Sequence, residues 1–356
     1  MAILDDLKIL VECESPTEDL DACRKVIELA AHISKSVLGF DAKVFAEAGR
    51  PVFWLGSDEP KIVLLAHLDT VWPIGSFSPV WKVEGDKAFG PGTFDMKAGF
   101  IQALYALKGI DLDEVALIAT TDEEVGSQTS RDLIQRVSKK AKAVLVLEAS
   151  IYGKVKTGRK GTAMYRILVN GRAAHAGLEP EKGINATVEI ANQIAKIISF
   201  ENKELGTTVV PTTLLSGTTS NTVPASAILD IDVRSFSKSE LERVDKEIKS
   251  LKPTISGATI AITGGINRPP LEESSTMKLY EKLEESAKKL GLPPVGHTAV
   301  GGASDGNFAA AAGAEVLDGL GAIGEGAHAL NEHISISGME SQIKLLQQFV
   351  KDLISE

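Results

Sequence analysis

The chain has 356 residues, of which 44% are apolar and 24% charged, so it is long enough for two domains with apolar cores. Its net charge of -10 and its lack of a dense Lys/Arg cluster argue against nucleic acid and anionic membranes as partners. The N-terminal segment is too acidic for a signal peptide, and no apolar run reaches the ~20 residues of a membrane span. Neither Cys13 nor Cys23 has a zinc-site spacing, so we expect reduced thiols in a cytoplasmic protein.

The first part of the sequence alternates between helical and strand-like patterns. Apolar residues at helical spacing predict a helix over 18–38, after Ser15-Pro16-Thr17. The stretch KIVLLAHLDTVWP over 61–73 then contains a short apolar run that is typical of a strand buried on both faces. The other predicted elements are strands at 42–47, 52–55, 115–120 and 143–148, a loop with a short strand over 76–90, and helices from about Met96 to Leu107 and after Gly126. This alternation predicts a largely parallel α/β sheet flanked by helices.

Side chains that can bind metals recur where the predicted strands end. They are His67 and Asp69 after the first buried strand, Glu123 and Glu124 after the second, Glu148 at the end of the third, and Asp95 at a loop–helix junction. Ligands of open α/β sheets bind at the carboxyl ends of the strands. A lone histidine there is more often structural, but a cluster of carboxylates repels itself unless cations lie among them. The recurrence therefore indicates a metal site, to which His328 would add a second imidazole.

The sequence from about Gly158 predicts a second domain of different type. Strands at 163–169, 207–215, 226–233 and 256–263 and helices at 184–200 and 238–250 give the order β-α-β-β-α-β of a ferredoxin-like fold. We therefore predict a larger, discontinuous domain, 1–157 and 267–356, with a smaller domain inserted at 158–266. The later glycine-rich loop 300–306 lacks a Walker lysine, which disfavours a nucleotide-binding protein.

Eight segments together resemble the M20 family of metallopeptidases. They are HLDTVWPIG (67–75), GPGTFDMKAG (90–99), TTDEEVGSQTSRDLI (120–134), Glu148, GRAAHAG (171–177), TSNTVPASA (219–227), GGASDGN (301–307) and HALNE (328–332). The family includes glutamate carboxypeptidases, acetylornithine deacetylases, succinyl-diaminopimelate desuccinylases and aminoacylases. The segment DEEVGSQTSRDLIQ and the RKG at 159–161 are most similar to the bacterial glutamate carboxypeptidase subgroup.

The resemblance implies a site for two zinc ions, with cobalt or manganese as substitutes. Asp95 would bridge both ions. His67 and Glu148 would complete the protein ligands of one, and Glu124 and His328 those of the other. The family also implies a cis peptide bond between Asp95 and Met96.

The resemblance further implies roles in hydrolysis. Glu123 would act as the general base for a water that bridges the metals, and Asp69 would orient His67. His175 would stabilise the oxyanion, from the partner subunit of a homodimer or after domain closure. The implied substrate-binding residues are Asn221, Arg234 and Gly302, with the Arg234 guanidinium suited to an α-carboxylate.

The resemblance predicts an enzyme that cleaves the amide or peptide bond next to a free C-terminal amino acid, with glutamate as the expected residue. The larger domain would be the catalytic domain, and the inserted domain would be a lid or dimerisation domain. The substrate would be a small peptide or an N-acyl amino acid. An N-acyl-amino-acid deacylase or a dipeptidase would use the same machinery, and a non-catalytic metal-binding relative is a further alternative. Glu332 is a candidate for support of His328, and His32, His297 and His333 are interpreted as structural or surface residues.

Overall fold

The computed structural model describes residues 2–355 of the chain. These residues form two compact units. The first runs to Gly158 and also comprises Glu272–Val300 and the chain from Ser304 onward, whereas the second comprises Arg159–Leu271 and Gly301–Ala303. Residues 267–271 join the second unit because Arg159 and Leu271 exchange backbone hydrogen bonds of 3.0 Å in both directions.

Helices and strands follow one another along the whole of the described chain. The helices are α1 Ala2–Glu12, α2 Leu20–Leu38, α3 Ala98–Ala106, α4 Arg131–Ser138, α5 Ala186–Ile198, α6 Lys238–Lys249, α7 Met277–Lys289, α8 Asp305–Ala311 and α9 Ile336–Ile354. The strands are β1 Lys43–Glu47, β2 Arg50–Gly56, β3 Ile62–His67, β4 Lys82–Glu84, β5 Lys87–Phe89, β6 Val115–Thr120, β7 Ala143–Val146, β8 Val155–Arg159, β9 Gly161–Asn170, β10 Thr208–Ser216, β11 Ser226–Ser235, β12 Thr259–Arg268, β13 His297–Val300, β14 Val316–Leu317, β15 Gly324–Glu325 and β16 His333–Ser335. Among the described residues no helix is both long enough and apolar enough to span a membrane.

The first unit is built on a mixed, mostly parallel sheet. Its strand order is β1-β2-β6-β3-β7-β14, and β6, β3, β7 and β14 run parallel to one another while β2 is antiparallel to β6. All residues of β3, β6 and β7 are buried, as expected for strands covered on both faces. The prediction of an α/β fold with a largely parallel sheet is confirmed.

Helix α2 shows why the N-terminal pattern folds as predicted. The Asp19 side chain accepts hydrogen bonds from the amides of Asp21 and Ala22 at 3.0 and 2.9 Å and so caps the first turn. Gly39 ends the helix in the left-handed conformation, with φ 81°. Between these caps, the buried face packs into the apolar core of the unit.

The second unit has the element order β9-α5-β10-β11-α6-β12, the predicted β-α-β-β-α-β. Its strands form a four-stranded antiparallel sheet in the order β10-β11-β9-β12. Alternate residues of β11 are buried, and the helices α5 and α6 pack against this face in a separate apolar core.

Candidate metal centre

The candidate metal ligands lie at one edge of the mostly parallel sheet. In the strand register His67, the last residue of β3, is opposite Thr120, the last residue of β6. Leu65 is opposite Val146, so β7 ends at the same edge two residues before Glu148. Because the three strands are adjacent and parallel, the segments that follow them converge. The fold explains why side chains distant in sequence meet here.

One cluster joins the two histidines through two carboxylates. His67 Nε2 lies 3.3 Å from Oδ1 of Asp95, and His328 Nε2 lies 3.4 Å from Oδ2 of the same carboxylate. His328 Nε2 also lies 3.1 Å from Oε2 of Glu124. One ligand atom each from His67, Asp95 and Glu124 fits within a span of 4.8 Å. Asp95 therefore lies between the two imidazoles.

A second cluster shares His67. One ligand atom each from His67, Glu123 and Glu148 lies within 4.8 Å of the others, and all three residues are buried. His67 Nε2 is 3.7 Å from Oε1 of Glu148. A buried lysine, Lys156, places its ammonium 3.9 Å from Oε2 of Glu148. The two clusters together bring all the predicted metal ligands and Glu123 to one place.

Asp69 connects His67 to the segment that carries the two glutamates. His67 Nδ1 lies 3.1 Å from the Asp69 carbonyl oxygen and 3.4 Å from its carboxylate Oδ1. The Asp69 carboxylate accepts hydrogen bonds from the Thr17 hydroxyl at 2.8 Å and from the amides of Glu123 and Glu124 at 3.4 and 3.2 Å. Because these contacts are made by a fully buried side chain, they fix both the imidazole of His67 and the start of the Glu123–Val125 turn.

The segment that carries Asp95 departs from the predicted helix. Helix α3 begins at Ala98 instead of about Met96, because Asp95 (φ -120°, ψ 89°) and Met96 (φ -136°, ψ 33°) lie outside the helical region. The Asp95–Met96 peptide bond is cis, as expected from the resemblance. Upstream, Gly92 has φ 69°, and a Cβ there would approach Cγ2 of Thr70 to 2.5 Å, so this position requires glycine.

Glu332 holds this segment in place. Its Oε1 accepts hydrogen bonds from the amides of Phe94 and Asp95 at 2.9 and 3.0 Å. Its Oε2 accepts from the amide of Gly92 at 3.1 Å and from the Trp72 indole at 3.0 Å. The residue is buried, so these donors take the place of solvent. The structure therefore shows that Glu332 supports the segment that carries Asp95, whereas the sequence suggested it as support for His328.

The electrostatics of the cluster fit divalent cations. Burial lowers the pKa of His67, but hydrogen bonds to Asp69 and Asp95 outweigh it and hold that pKa above its usual value. Hydrogen bonds to Asp95 and Glu124 raise the pKa of His328 to about 10. Burial raises the pKa of Glu124 to about 7. The carboxylates of Asp69, Asp95 and Glu124 thus favour positive charge at the imidazoles, and bound cations would supply that charge instead. Imidazole nitrogen and carboxylate oxygen are donors that zinc accepts.

His175 and Asn221 lie together in the second unit. Val223 donates to the Ala174 carbonyl and Ala176 to the Asn221 carbonyl, both at 2.9 Å, so the two segments pair as short strands. The exposed His175 ring accepts hydrogen bonds at Nδ1 from the amides of Gly177 and Leu178 at 3.2 and 3.1 Å. An acceptor nitrogen is unprotonated, so the neutral ring carries its proton on Nε2. His175 can therefore donate a hydrogen bond from Nε2.

Arg234 and the glycine-rich loop are also neighbours in the second unit. The Arg234 Nη1 donates to the Gly301 carbonyl at 3.3 Å, and its Nε donates to Asp232 at 3.0 Å. Arg159 holds the next residues, because its Nη1 donates to the carbonyls of Gly302 and Ala303 at 3.2 and 3.3 Å. The loop thus has its carbonyls directed at arginines, which is unlike a phosphate cradle of backbone N–H groups.

Sequence reasoning missed residues that position the site. Asp122 accepts hydrogen bonds from the amide and hydroxyl groups of Thr129 and Ser130 and so fixes the loop after the two glutamates. Asp305, in the GGASDGN motif, accepts a hydrogen bond from the hydroxyl of Ser127, which lies in the loop after the two glutamates. Both are buried acids beside hydroxyl-rich segments, but only the tertiary fold pairs Asp305 with Ser127.

The chain is similar to known proteins along nearly its whole length. The model of peptidase family M20/M25/M40 matches residues 63–352. Carboxypeptidase G2 of Pseudomonas sp. (strain RS-16) is 30% identical over 374 aligned residues, covering 99% of this chain and 89% of that protein. Succinyl-diaminopimelate desuccinylase of Sulfurovum sp. (strain NBC37-1) is 27% identical and covers 99% of both chains. The crystal structure of aminopeptidase PepT from Bacillus cereus superposes with a TM-score of 0.81 at 21% identity, over 99% of this chain and 98% of that one, which shows the shared fold.

The mixed α/β fold gathers histidines and carboxylates at the carboxyl edge of its sheet, and such a donor set could hold metal ions. The family match and the relatives show that the chain belongs to peptidase family M20 and is a hydrolase of amide or peptide bonds.

Proposed function

We propose that this protein is a di-metal hydrolase that releases a free C-terminal amino acid from a small peptide or an N-acyl amino acid. The observation that carries the proposal is the position of the Asp95 carboxylate between two histidines, with Oδ1 3.3 Å from His67 Nε2 and Oδ2 3.4 Å from His328 Nε2. Asp95 would contribute to both metal positions, with His67 and Glu148 at one and Glu124 and His328 at the other. Zinc suits this donor set best, and cobalt or manganese could replace it.

The side chains divide the chemistry between them. Divalent cations bound at the clusters would activate a water molecule and polarise the scissile carbonyl. Glu123 would accept the proton of the attacking water and later deliver it to the departing amine. Asp69 would keep His67 in one orientation, and Glu332 would do the same for Asp95. The Nε2 proton of His175 would be donated to the oxyanion, supplied from a partner subunit of a homodimer or after domain closure.

The released part of the substrate would bind through its α-carboxylate. The Arg234 guanidinium is the cation suited to that group, and Asn221 and Gly302 would add polar contacts. Glutamate is the proposed amino acid because the chain resembles glutamate carboxypeptidases and is 30% identical to a carboxypeptidase. The relation to a desuccinylase favours a second candidate, an N-acyl-amino-acid deacylase with the same machinery.

The adjacent glutamates provide a matched test of these roles. Glu123→Gln should abolish turnover while the metal content stays at the wild-type level, because the base is lost and the ligands remain. Glu124→Gln, one residue away, should lower both turnover and metal content. Equal metal loss in the two variants, or activity retained in Glu123→Gln, would remove Glu123 as the base.

The substrate class requires a separate screen. Purified zinc-loaded protein would be assayed against dipeptides and N-acyl amino acids in which only the C-terminal residue varies. A carboxypeptidase-type glutamate hydrolase should favour C-terminal glutamate across several acyl groups. A preference that follows the acyl group and ignores the C-terminal residue would favour the deacylase.

A further inference from the structure

A large cavity opens directly beside the metal-ligand cluster, within the first unit. It has a volume of about 1010 Å³ and lies between the start of α2, the loop after β3, and Glu124 with its neighbour Val125. We call it the α2 cavity. Glu124 connects it to the cluster, because the carboxylate of this wall residue lies 3.1 Å from His328 Nε2.

The walls of the α2 cavity expose apolar side chains. Leu20, Val71, Ile74 and Val125 are exposed by 44, 40, 61 and 37%, respectively, and all four line the cavity. Isolated exposed apolar residues need no explanation, but a group of them around one concave surface is typical of a ligand-binding site. The apolar surface therefore indicates that part of a ligand packs here.

Hydrogen bonds hold the two main walls together. Thr17 donates its amide to the Thr70 carbonyl at 3.1 Å, and Thr70 donates to the Ser15 carbonyl at 2.9 Å. The Gly75 amide donates to the Glu14 carboxylate at 3.0 Å and anchors the far end of the loop. These hydrogen bonds fix the walls of the cavity relative to each other, and rigid walls lower the entropic cost of binding.

The charge of the walls decides which part of a substrate fits. Glu18, Asp19 and Asp21 line the cavity, and the one cation among its described lining residues, Arg24, pairs with Asp21 at 2.6 Å. The surplus of carboxylates repels an anion such as the α-carboxylate of the released amino acid. The other side of the scissile bond, the acyl or peptidyl part, is left as the occupant.

We propose that the α2 cavity binds the acyl or peptidyl part of the substrate and selects apolar groups that are neutral or cationic over acidic groups such as succinyl. This inference rests on the proposed amide hydrolysis at the adjacent cluster. It assigns specificity on the acyl side to Glu18 and Ile74, to which the sequence motifs give no role.

The test uses N-benzoyl and N-succinyl conjugates of the amino acid that the substrate screen finds to be released fastest. The ratio of kcat/KM for benzoyl over succinyl should be about tenfold or more in the wild type, because the phenyl ring is buried and the succinyl carboxylate is repelled. Glu18→Lys should lower this ratio about fivefold, mainly by improving the succinyl conjugate. Ile74→Asn should lower kcat/KM for the benzoyl conjugate about threefold to tenfold. Glu28→Lys, a charge reversal at an exposed position of α2 that does not line the cavity, is the matched control.

Each outcome has a defined meaning. A ratio that falls in Glu18→Lys and stays at the wild-type value in Glu28→Lys supports the assignment. A ratio unchanged in Glu18→Lys, or changed equally in Glu28→Lys, overturns it while hydrolysis itself still stands. Failure to hydrolyse any conjugate in the screen would overturn the proposed function instead.

Discussion

The replacement of Glu332 by glutamine tests how the Asp95 segment is held. The carboxylate accepts four hydrogen bonds, two at each oxygen. A glutamine has one carbonyl oxygen, so in either orientation of its amide two of the four donors face an NH₂ group. A buried donor without an acceptor costs about 1.5 kcal/mol, so Glu332→Gln should lower the free energy of unfolding by about 3 kcal/mol.

The same replacement should weaken metal binding. Three of the four donors are backbone amides of residues 92, 94 and 95, so either orientation of the glutamine loses at least one of them and loosens the segment that presents the Asp95 carboxylate. Loss of a group that orients a metal ligand typically lowers affinity or activity about 10- to 100-fold. We therefore expect zinc affinity to fall within that range, together with kcat.

The assay combines urea unfolding of the zinc-free protein with zinc titration against a competing chelator. Glu325→Gln is the control, because Glu325 is an exposed acid in the strand shortly before Glu332 and should change stability by less than about 0.5 kcal/mol. If Glu332→Gln keeps both wild-type stability and wild-type zinc affinity, Glu332 does not hold the Asp95 segment and the reasoning is wrong.

Three further predictions concern other positions. His175→Ala should lower kcat about 100-fold or more with unchanged metal content, because an oxyanion donor is lost and no ligand is; loss of zinc would instead make His175 a ligand. Asp69→Asn should lower kcat or zinc affinity about 10-fold or more, since an amide cannot accept from Thr17 and both glutamate amides, and wild-type values for both would contradict this. Glu189→Gln should destabilise the second unit by about 2 kcal/mol at pH 7, because the Glu189 carboxylate accepts from the amides of Thr254 and Ile255. Burial raises the pKa of Glu189, but these hydrogen bonds and one from Gln193 outweigh burial and keep the pKa below 4.5. The stabilisation by the carboxylate is therefore present above that pH and is lost as the pH falls further. Thermal unfolding of the wild type and the variant from pH 7 to 3 should show the difference in stability shrinking, and a constant difference would contradict the assignment.

The sequence predicted the strands of the first unit well where burial alone decides the structure. The strand predicted at 115–120 is observed with the same limits, because both faces of β6 are buried and its apolar run has no competing interpretation. The helix predicted from 18 to 38 is observed from Leu20, since Asp19 is the capping residue. Local patterns of apolarity and capping suffice for such elements.

The sequence predicted less well where distant segments determine a conformation. The helix predicted from about Met96 begins at Ala98, because the residues before it follow the hydrogen bonds of Glu332, more than two hundred residues away in the chain. The second unit also takes in Leu271 and Gly301–Ala303, which the predicted limits left out. Leu271, Gly302 and Ala303 form hydrogen bonds with Arg159, and the Gly301 carbonyl accepts from Arg234. Neither long-range contact leaves a periodic signal in the sequence.

The sequence was enough to select the candidate metal ligands as a set, but not the residues that hold them in place. The metal-ligand candidates are recognisable because each follows a buried strand or a known motif, and the structure brings them together. The sequence suggested that Glu332 supports His328, but not that it binds the amides of Phe94 and Asp95, since a buried acid can accept hydrogen bonds from any nearby backbone. The α2 cavity could not be predicted although two motifs, 67–75 and 120–134, supply part of its wall, because neither motif shows that it faces the start of α2.

The metal content of the active protein tests the central claim most directly. Purified protein would be stripped with a chelator, dialysed against zinc, and analysed for bound metal and for hydrolysis of the best substrate in the same samples. The carboxylate of Asp95, placed between His67 and His328, predicts that bound zinc approaches two ions per chain and that activity is lost on stripping and returns with zinc. Full activity in the stripped, metal-free protein would contradict the account.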